Sequence, residues 1–413
     1  MRACARASDA RAPGRRDCRF LAPENAERRS FRKASRRQID APMRRNILPI
    51  SSGTGTRAER EKMLVKYVKN VWYAAGFPSE LEGDFLARTI CGKPVLLYRM
   101  SSGTVVALED RCPHRFVPLS MGRRIGDAIQ CGYHGLAFGP SGQCLENPNH
   151  KDAAGRADIC VASYPVIERY RTLWIWMGDP ALADPETIPD FGFLDDPAFR
   201  APTGYSHIKG NYQLVVDNLL DLSHVHYLHP GVHEGSDFAS FRNEVKQEGD
   251  QVWSMLWRPH YHLSPARQKE WGLDAEDVEG QGHSRWILPS TVAIYTAFWK
   301  HGSSIENGVK VPSAHLLTPE TEYTTHYLWA TARNHDLDDD AYTARQVKAV
   351  KNIFETQDAP MIEAQQKAMG AGTDIIKARS AILKADAAGI LARRLISRRV
   401  RAEGSADLAT AAE

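Results

Sequence analysis

The chain has 413 residues, 25% of them charged and 43% hydrophobic, the proportions of a globular protein with room for two domains. Its formal charge of +3 conceals an asymmetry: residues 1–62 hold 17 Lys and Arg against 7 Asp and Glu, while the remainder holds 36 against 43. The mildly acidic body argues against a nucleic-acid partner, and the lack of a run of about 18 apolar residues leaves no candidate for a membrane-spanning helix.

In chain order, residues 1–62 are Arg-rich and aperiodic, which predicts a disordered basic extension and a natural start at or near Met63. Such composition also suits a targeting peptide, although five acidic residues before Met43 argue against one. Seven cysteines, an odd count without a secretory signal, fit a reducing cytoplasm where clustered Cys and His hold metal more readily than they form disulfides. Of these, Cys144 and Cys160 are expected to be free buried thiols.

Residues 63–181 read as a small all-β module. Thr89–Tyr98 suggests two strands around a Gly92-Lys93 turn, Gly103–Glu109 a third, Ala137–Cys144 a hairpin and Leu173–Met177 a closing strand. Ala181–Arg200, rich in Pro and Asp, suggests a linker. Residues 182–400 then suggest an α+β domain, an antiparallel sheet faced by helices. Its expected helices run from about Asn211 to about His224, from Asp340 to Met369 and from Ile375 to Arg401, with strands in Val252–Trp257, Ser284–Trp299, Ser313–Thr318 and Thr324–Thr331. Residues 401–413 read as a polar tail, and no Gly-rich dinucleotide fingerprint occurs.

In the first module, Cys112-Pro-His114 and Cys131-Gly-Tyr-His134 each follow a strand. Two Cys and two His so spaced can hold one [2Fe-2S] cluster, thiolates on one iron and imidazoles on the other, in the Rieske arrangement that raises the reduction potential. Structural zinc is the alternative, but zinc ligands ordinarily pair like with like.

In the second module, Leu214, Val215, Leu219, Leu220 and Leu222 recur at helical spacing, and Asp217, Asp221 and His224 share the opposite face. His229 lies about 140° further round an ideal helix, so it joins His224 only if the helix ends between them, as Pro230 and Gly231 allow. Two His and a carboxylate form the facial triad of non-haem Fe(II) oxygenases. A hydrogen-bonded polar helix face would carry two His equally well. Spacing does not select the carboxylate, because Glu355, Asp358 and Glu363 all fall on one predicted helix.

These segments, with Arg115-Phe-Val-Pro-Leu after the first Cys-His pair, Asn211-Tyr-Gln, Asp217-Asn218-Leu-Leu-Asp221-Leu-Ser-His224 and Asp358-Ala-Pro-Met-Ile-Glu-Ala-Gln-Gln366, resemble the oxygenase components of Rieske non-haem iron aromatic oxygenases. The resemblance spans about Tyr67 to Arg399 and is strongest to the vanillate and dicamba O-demethylase group. It implies an N-terminal Rieske domain and a C-terminal helix-grip, START-like domain. It implies Cys112, His114, Cys131 and His134 as cluster ligands and His224, His229 and Asp358 as ligands of a mononuclear Fe(II). Asp221 would bridge an iron-ligating His to a cluster His of a neighbouring subunit, implying a homotrimer. Asn218 would be an active-site amide contacting substrate and His315 a substrate-pocket residue, although a helix-surface Asn and a buried strand His would read the same.

The implied partners are a small aromatic substrate, O2, and a separate NADH-oxidising reductase carrying flavin and a plant-type [2Fe-2S] centre. The implied reaction is oxidative O-demethylation of a methoxylated, vanillate-like aromatic acid with release of formaldehyde. Ring dihydroxylation or oxidation of an N- or S-methyl group are alternatives within the family. A Rieske electron-transfer protein without oxygenase activity is the alternative outside it.

Overall fold

The computed structural model describes residues 67–148, 159–230, 236, 240–370, 375, 378 and 380–410; the expected basic extension, residues 1–62, lies outside them. Short antiparallel strands build the first module: β1 (Trp72–Gly76), β2 (Leu86–Ile90), β3 (Lys93–Arg99), β4 (Val105–Glu109), β5 (Arg123–Ile125), β6 (Ala128–Gln130), β7 (Ala137–Phe138), β8 (Cys144–Glu146), β9 (Ser163–Tyr164), β10 (Val166–Arg169) and β11 (Thr172–Trp176). They form sheets ordered β1-β11-β10, β2-β3-β4-β9 and β5-β6-β7-β8. β2 and β3 turn at Cys91 and Gly92, both at positive φ as a two-residue hairpin requires, one residue earlier than expected.

The stretch 181–200 is packed rather than a free linker. Tight turns at Pro180–Leu182, Pro185–Thr187 and Gly192–Leu194 carry Ile188, Phe191, Phe193 and Leu194 into a core shared with Trp72, Trp174 and Trp176 before it and Ala293, Leu316 and Leu328 after it. Asp residues cap those turns, Asp179 just before the stretch and Asp184 and Asp190 within it each accepting a backbone N–H two residues on, so composition that suggests mobility instead fixes the path.

A seven-stranded antiparallel sheet dominates the second module, made of β12 (Thr203–Ile208), β13 (Arg242–Glu248), β14 (Gln251–His262), β15 (Asp277–Ile287), β16 (Thr291–Lys300), β17 (Val309–Pro319) and β18 (Thr325–Thr331) in the order β12-β18-β17-β16-β15-β14-β13. The two strands the sequence pattern did not suggest, β12 and β13, are its edges. β13 is almost wholly exposed and charged, which suits an edge and hides its strand character.

Helices cover one face of this sheet: α1 (Tyr212–Leu220), the single turn α2 (Val225–Leu228), α3 (Pro265–Trp271), α4 (Asp340–Ile353), α5 (Ala359–Met369) and α6 (Ala387–Thr410), with a π-helical turn, Phe354–Asp358, joining α4 to α5. Asn211 caps α1 by accepting from the Gln213 N–H, and Leu214, Val215, Leu219 and Leu220 bury against Trp286, Val292 and Leu317. Each such apolar side chain contributes about 1.5–3 kcal/mol on burial.

Two expectations need correction. α1 stops at Leu220, not near His224, because Asp221 turns extended and its Oδ1 accepts from the Ser223 N–H and Oγ–H, a local turn that competes with the helix. α6 begins at Ala387 rather than Ile375 and continues to Thr410, inside the stretch read as a polar tail.

Candidate metal centres

The two Cys-His loops are near copies of one another. In each, the Cys N–H donates to the carbonyl five residues on, Val117 and Leu136 respectively, and the residue four on, Phe116 or Gly135, sits at positive φ and donates back to the Cys carbonyl. The matched turns bring Cys112 and Cys131 together in the interior, while the His114 and His134 rings meet edge to face at the outer rim with centroids 4.5 Å apart. Burial, above all, pushes the Cys112 thiol up to about 11, with the neighbouring Cys131 thiol adding to the rise. Two buried thiols side by side ionise only beside a cation, and a two-iron cluster supplies that charge, so the donor set fits the group. Cys144 is buried as expected, but Cys160 is exposed, because its strand-edge bridge to Gln143 leaves the side chain outside.

The second centre is assembled by the break after α1. His224 and His229 flank the single turn α2, and the helix end expected between the two His occurs before His224, at Leu220. Their ring centroids lie 5.2 Å apart, and each Nε2 lies 3.5 Å from Oδ1 of Asp358, which is 4% exposed. The donor atoms of all three residues fall within 4.8 Å of one another. Bonds of about 2.1 Å at right angles would separate neighbouring donors by about 3 Å, so only a small contraction would be needed to close on an ion.

Both imidazoles are oriented from behind. His229 Nδ1 donates to Gln357 Oε1 at 2.7 Å, and His224 Nδ1 donates to the backbone carbonyl of Asp221. Each bond places the proton on Nδ1 and leaves an Nε2 lone pair facing Asp358, the tautomer a metal needs. Burial disfavours charge on His224, yet the Asp358 carboxylate and the Asp221 carbonyl together outweigh it and raise its pKa above the ordinary imidazole value. The pocket therefore favours positive charge, as a cation site must.

The other expected residues divide. Asn218 reaches the site, donating from Nδ2 to Asp358 Oδ1 at 3.1 Å. Asp221 touches His224 through its main chain while its carboxylate is engaged by Ser223. Asp217, on the face expected to carry ligands, is drawn away into a two-pronged pairing with Arg393 of α6 at 2.7 and 3.0 Å. Glu355 bonds Ser206 and Glu363 bonds the Lys209 N–H, which leaves Asp358 as the carboxylate of the three that faces the His pair.

His315 is buried on β17 between Ser313 Oγ at 2.8 Å and Tyr327 OH at 2.7 Å, and burial lowers its pKa to about 3. Gln357 was not anticipated. Nothing in the sequence links it to His229, and only its position beside Asp358 could have drawn attention to it.

Residues 71–165 match the Rieske [2Fe-2S] domain and residues 208–402 the vanillate O-demethylase oxygenase C-terminal domain. The chain is 37% identical over 341 residues to the oxygenase component of chloroacetanilide N-alkylformylase from Rhizorhabdus wittichii, covering 82% of this chain and 97% of that protein. It is 41% identical over 273 residues to the oxygenase component of dicamba O-demethylase from Stenotrophomonas maltophilia, covering 66% and 80%. The crystal structure of dicamba monooxygenase bound to 3,6-dichlorosalicylic acid superimposes with a TM-score of 0.77 at 36% identity, covering 82% of this chain and 99% of that one.

Proposed function

As this chain belongs to the Rieske non-haem iron oxygenases, whose oxygenase component it is, we propose that it removes the methyl group of a methoxylated, vanillate-like aromatic acid. One oxygen atom of O2 enters the methyl C–H bond and the other leaves as water. The resulting hemiacetal collapses to a phenol and formaldehyde. Two electrons come from NADH through a separate reductase with flavin and a plant-type [2Fe-2S] centre.

The observation that carries this reading is the convergence of His224 Nε2 and His229 Nε2 on one oxygen of Asp358. When bound, a cluster supplies one-electron transfer and a mononuclear Fe(II) supplies oxygen activation. Cys112, His114, Cys131 and His134 would hold the first and His224, His229 and Asp358 the second. Asn218 fixes the carboxylate, and Gln357 and the Asp221 carbonyl fix the rings. Asp221, half-buried, would meet a cluster His of a neighbouring subunit in a homotrimer. His315, neutral at working pH, would contribute a polar contact to the substrate chamber.

A second reading, oxidation of an N-alkyl group, draws support from the N-alkylformylase relative, and it uses the same hydroxylation of an alkyl carbon. The test is turnover with a compatible reductase and NADH on parallel panels of methoxybenzoates and N-alkyl anilides. Formaldehyde from the first panel alone is expected. Aldehyde from the second alone would select the other reading, and an arene diol with no aldehyde would overturn both.

A further inference from the structure

We infer that Arg258 is the anchor for the acid group of the substrate, so that an aromatic carboxylate or sulfonate spans from Arg258 to the metal triad. The inference rests on the oxidative reading above and names what that reading leaves open, the residue that recognises the anion.

The inner face of the large sheet has two covered ends. At one, Val252, Trp286, Val292, Leu317 and Trp329 pack beneath the helices; at the other, Val278, Phe298 and Val309 pack with Tyr261 and Leu263. Between them Ile294, Thr296, Val311 and Ser313, on the inner strands β16 and β17, remain partly accessible even though strands flank them on both sides. The floor there is open to the helix side, and it mixes apolar Ile294 and Val311 with the hydroxyls of Thr296 and Ser313. The Ser284 hydroxyl, in the same face on β15, is buried with no hydrogen-bond partner.

His315 bounds this recess on the side of the triad, with the Phe354 ring of the π turn 5.6 Å away. Arg258 of β14 bounds it on the other. Arg258 is 7% exposed, and neither Nε nor Nη1 has a hydrogen-bond partner; among the described residues it forms no ion pair. The rings of Phe241, Tyr261 and Phe298 surround its guanidinium at 6.0, 5.8 and 5.6 Å. Arg258 pairs with Gly280, but its guanidinium lies back over Gly282, where a Cβ would stand 2.7 Å from Nη2. Glycine at 282 therefore makes the space through which the cation reaches toward the recess.

A buried guanidinium without a counter-ion loses hydration that three rings at the edge of cation–π range repay only in part. An aromatic acid would supply the missing partner with matching planar, two-pronged geometry. Burial lowers the Arg258 pKa to about 10, so the group still carries its charge at neutral pH. The register Gly282, Thr296, Val311 and then four residues to His315 gives about 16 Å between the Cα atoms at the two ends, from strand rise and spacing. With side chains entering from both ends, one substituted ring fits between them.

The test uses the full-length, iron-loaded protein with two probes, 4-methoxybenzoate and the neutral 4-methoxybenzamide, and the variants Arg258→Met and Arg258→Lys. In calorimetry, Arg258→Met is expected to raise Kd for the benzoate at least tenfold, the loss of a charge-assisted contact, and to leave the amide unchanged; Arg258→Lys should recover part of the loss. Without ligand, Arg258→Met should raise the thermal midpoint, because an unpaired cation has been removed, with the cluster absorption retained. A lowered midpoint with equal loss for both probes would make Arg258 structural and overturn the inference. So would a wild-type protein that binds the benzoate no better than the amide. Arg258-dependent benzoate binding without formaldehyde sinks only the demethylation reading, whereas formaldehyde with an unchanged Kd in Arg258→Met sinks only this one.

Discussion

Oδ1 of Asp358 is approached by three nitrogen atoms, Nε2 of His224, Nε2 of His229 and Nδ2 of Asn218. The amide can only donate there, so it steadies the carboxylate without competing for the ion. The imidazoles depend on their own supports, and that of His229 is a single side chain, Gln357. Gln357→Leu removes the acceptor for Nδ1–H and frees the ring to turn or change tautomer. Mononuclear iron affinity is expected to fall about 10–100-fold, read by iron titration, with the cluster spectrum intact. Unchanged affinity would show that packing alone orients the ring. The four cluster residues were legible because their spacings are a chemical signature, whereas the spacing of the His pair suits a hydrogen-bonded polar helix face equally well. Asp358 was legible only through resemblance, and Gln357 not at all, since its bond to His229 crosses 128 residues.

At the scale of elements, the carboxylate that faces the His pair sits on the last residue of a π turn. Pro360, two residues on, has no N–H to donate, and its ring would strike the Thr356 carbonyl in a regular α-helix. Widening the turn, with the Ala359 N–H donating to Phe354, relieves that conflict and sets the direction of Asp358. Pro360→Ala is expected to let the turn relax toward α-helix, holding or raising helical circular dichroism while lowering iron occupancy several-fold. Full occupancy would show that the neighbouring packing, not the proline, shapes the turn. Periodicity read α4 and α5 as one helix and was nearly right, but a π turn adds no apolar signature. The early end of α1 did have one, the Asp221-Leu-Ser223 turn, which the apolar stripe through Leu222 outweighed in the reading. Of the missed edge strands, β13 is exposed on both faces, which erases alternation, and β12 is short, with a mixed sequence (Thr203–Ile208) that carries little of it.

At the scale of the whole molecule, two groups among the exposed apolar side chains lie beside the two candidate centres. Phe116, Met121 and Tyr133 ring the cluster loops, and Tyr227, Met361 and Ile382 lie beside the His-His-Asp group. Pairing one patch with the other between copies is the head-to-tail contact from which rings of copies are built, and the homotrimer proposed above supplies the expectation to test. Tyr227→Glu is expected to dissociate the assembly in light scattering and to cut turnover at least tenfold while both centres keep their metal. A monomeric wild type with full activity would overturn that geometry. Within one copy the two modules are packed on one another. Trp72, Trp174 and Trp176 of the first module share a wall with Ala293, Leu316 and Leu328 of the second through the packed stretch 181–200. With that wall in place, the modules cannot swing as separate bodies: melting one strips the lining of the other, and any gating of turnover falls to loops and side chains over the sheet.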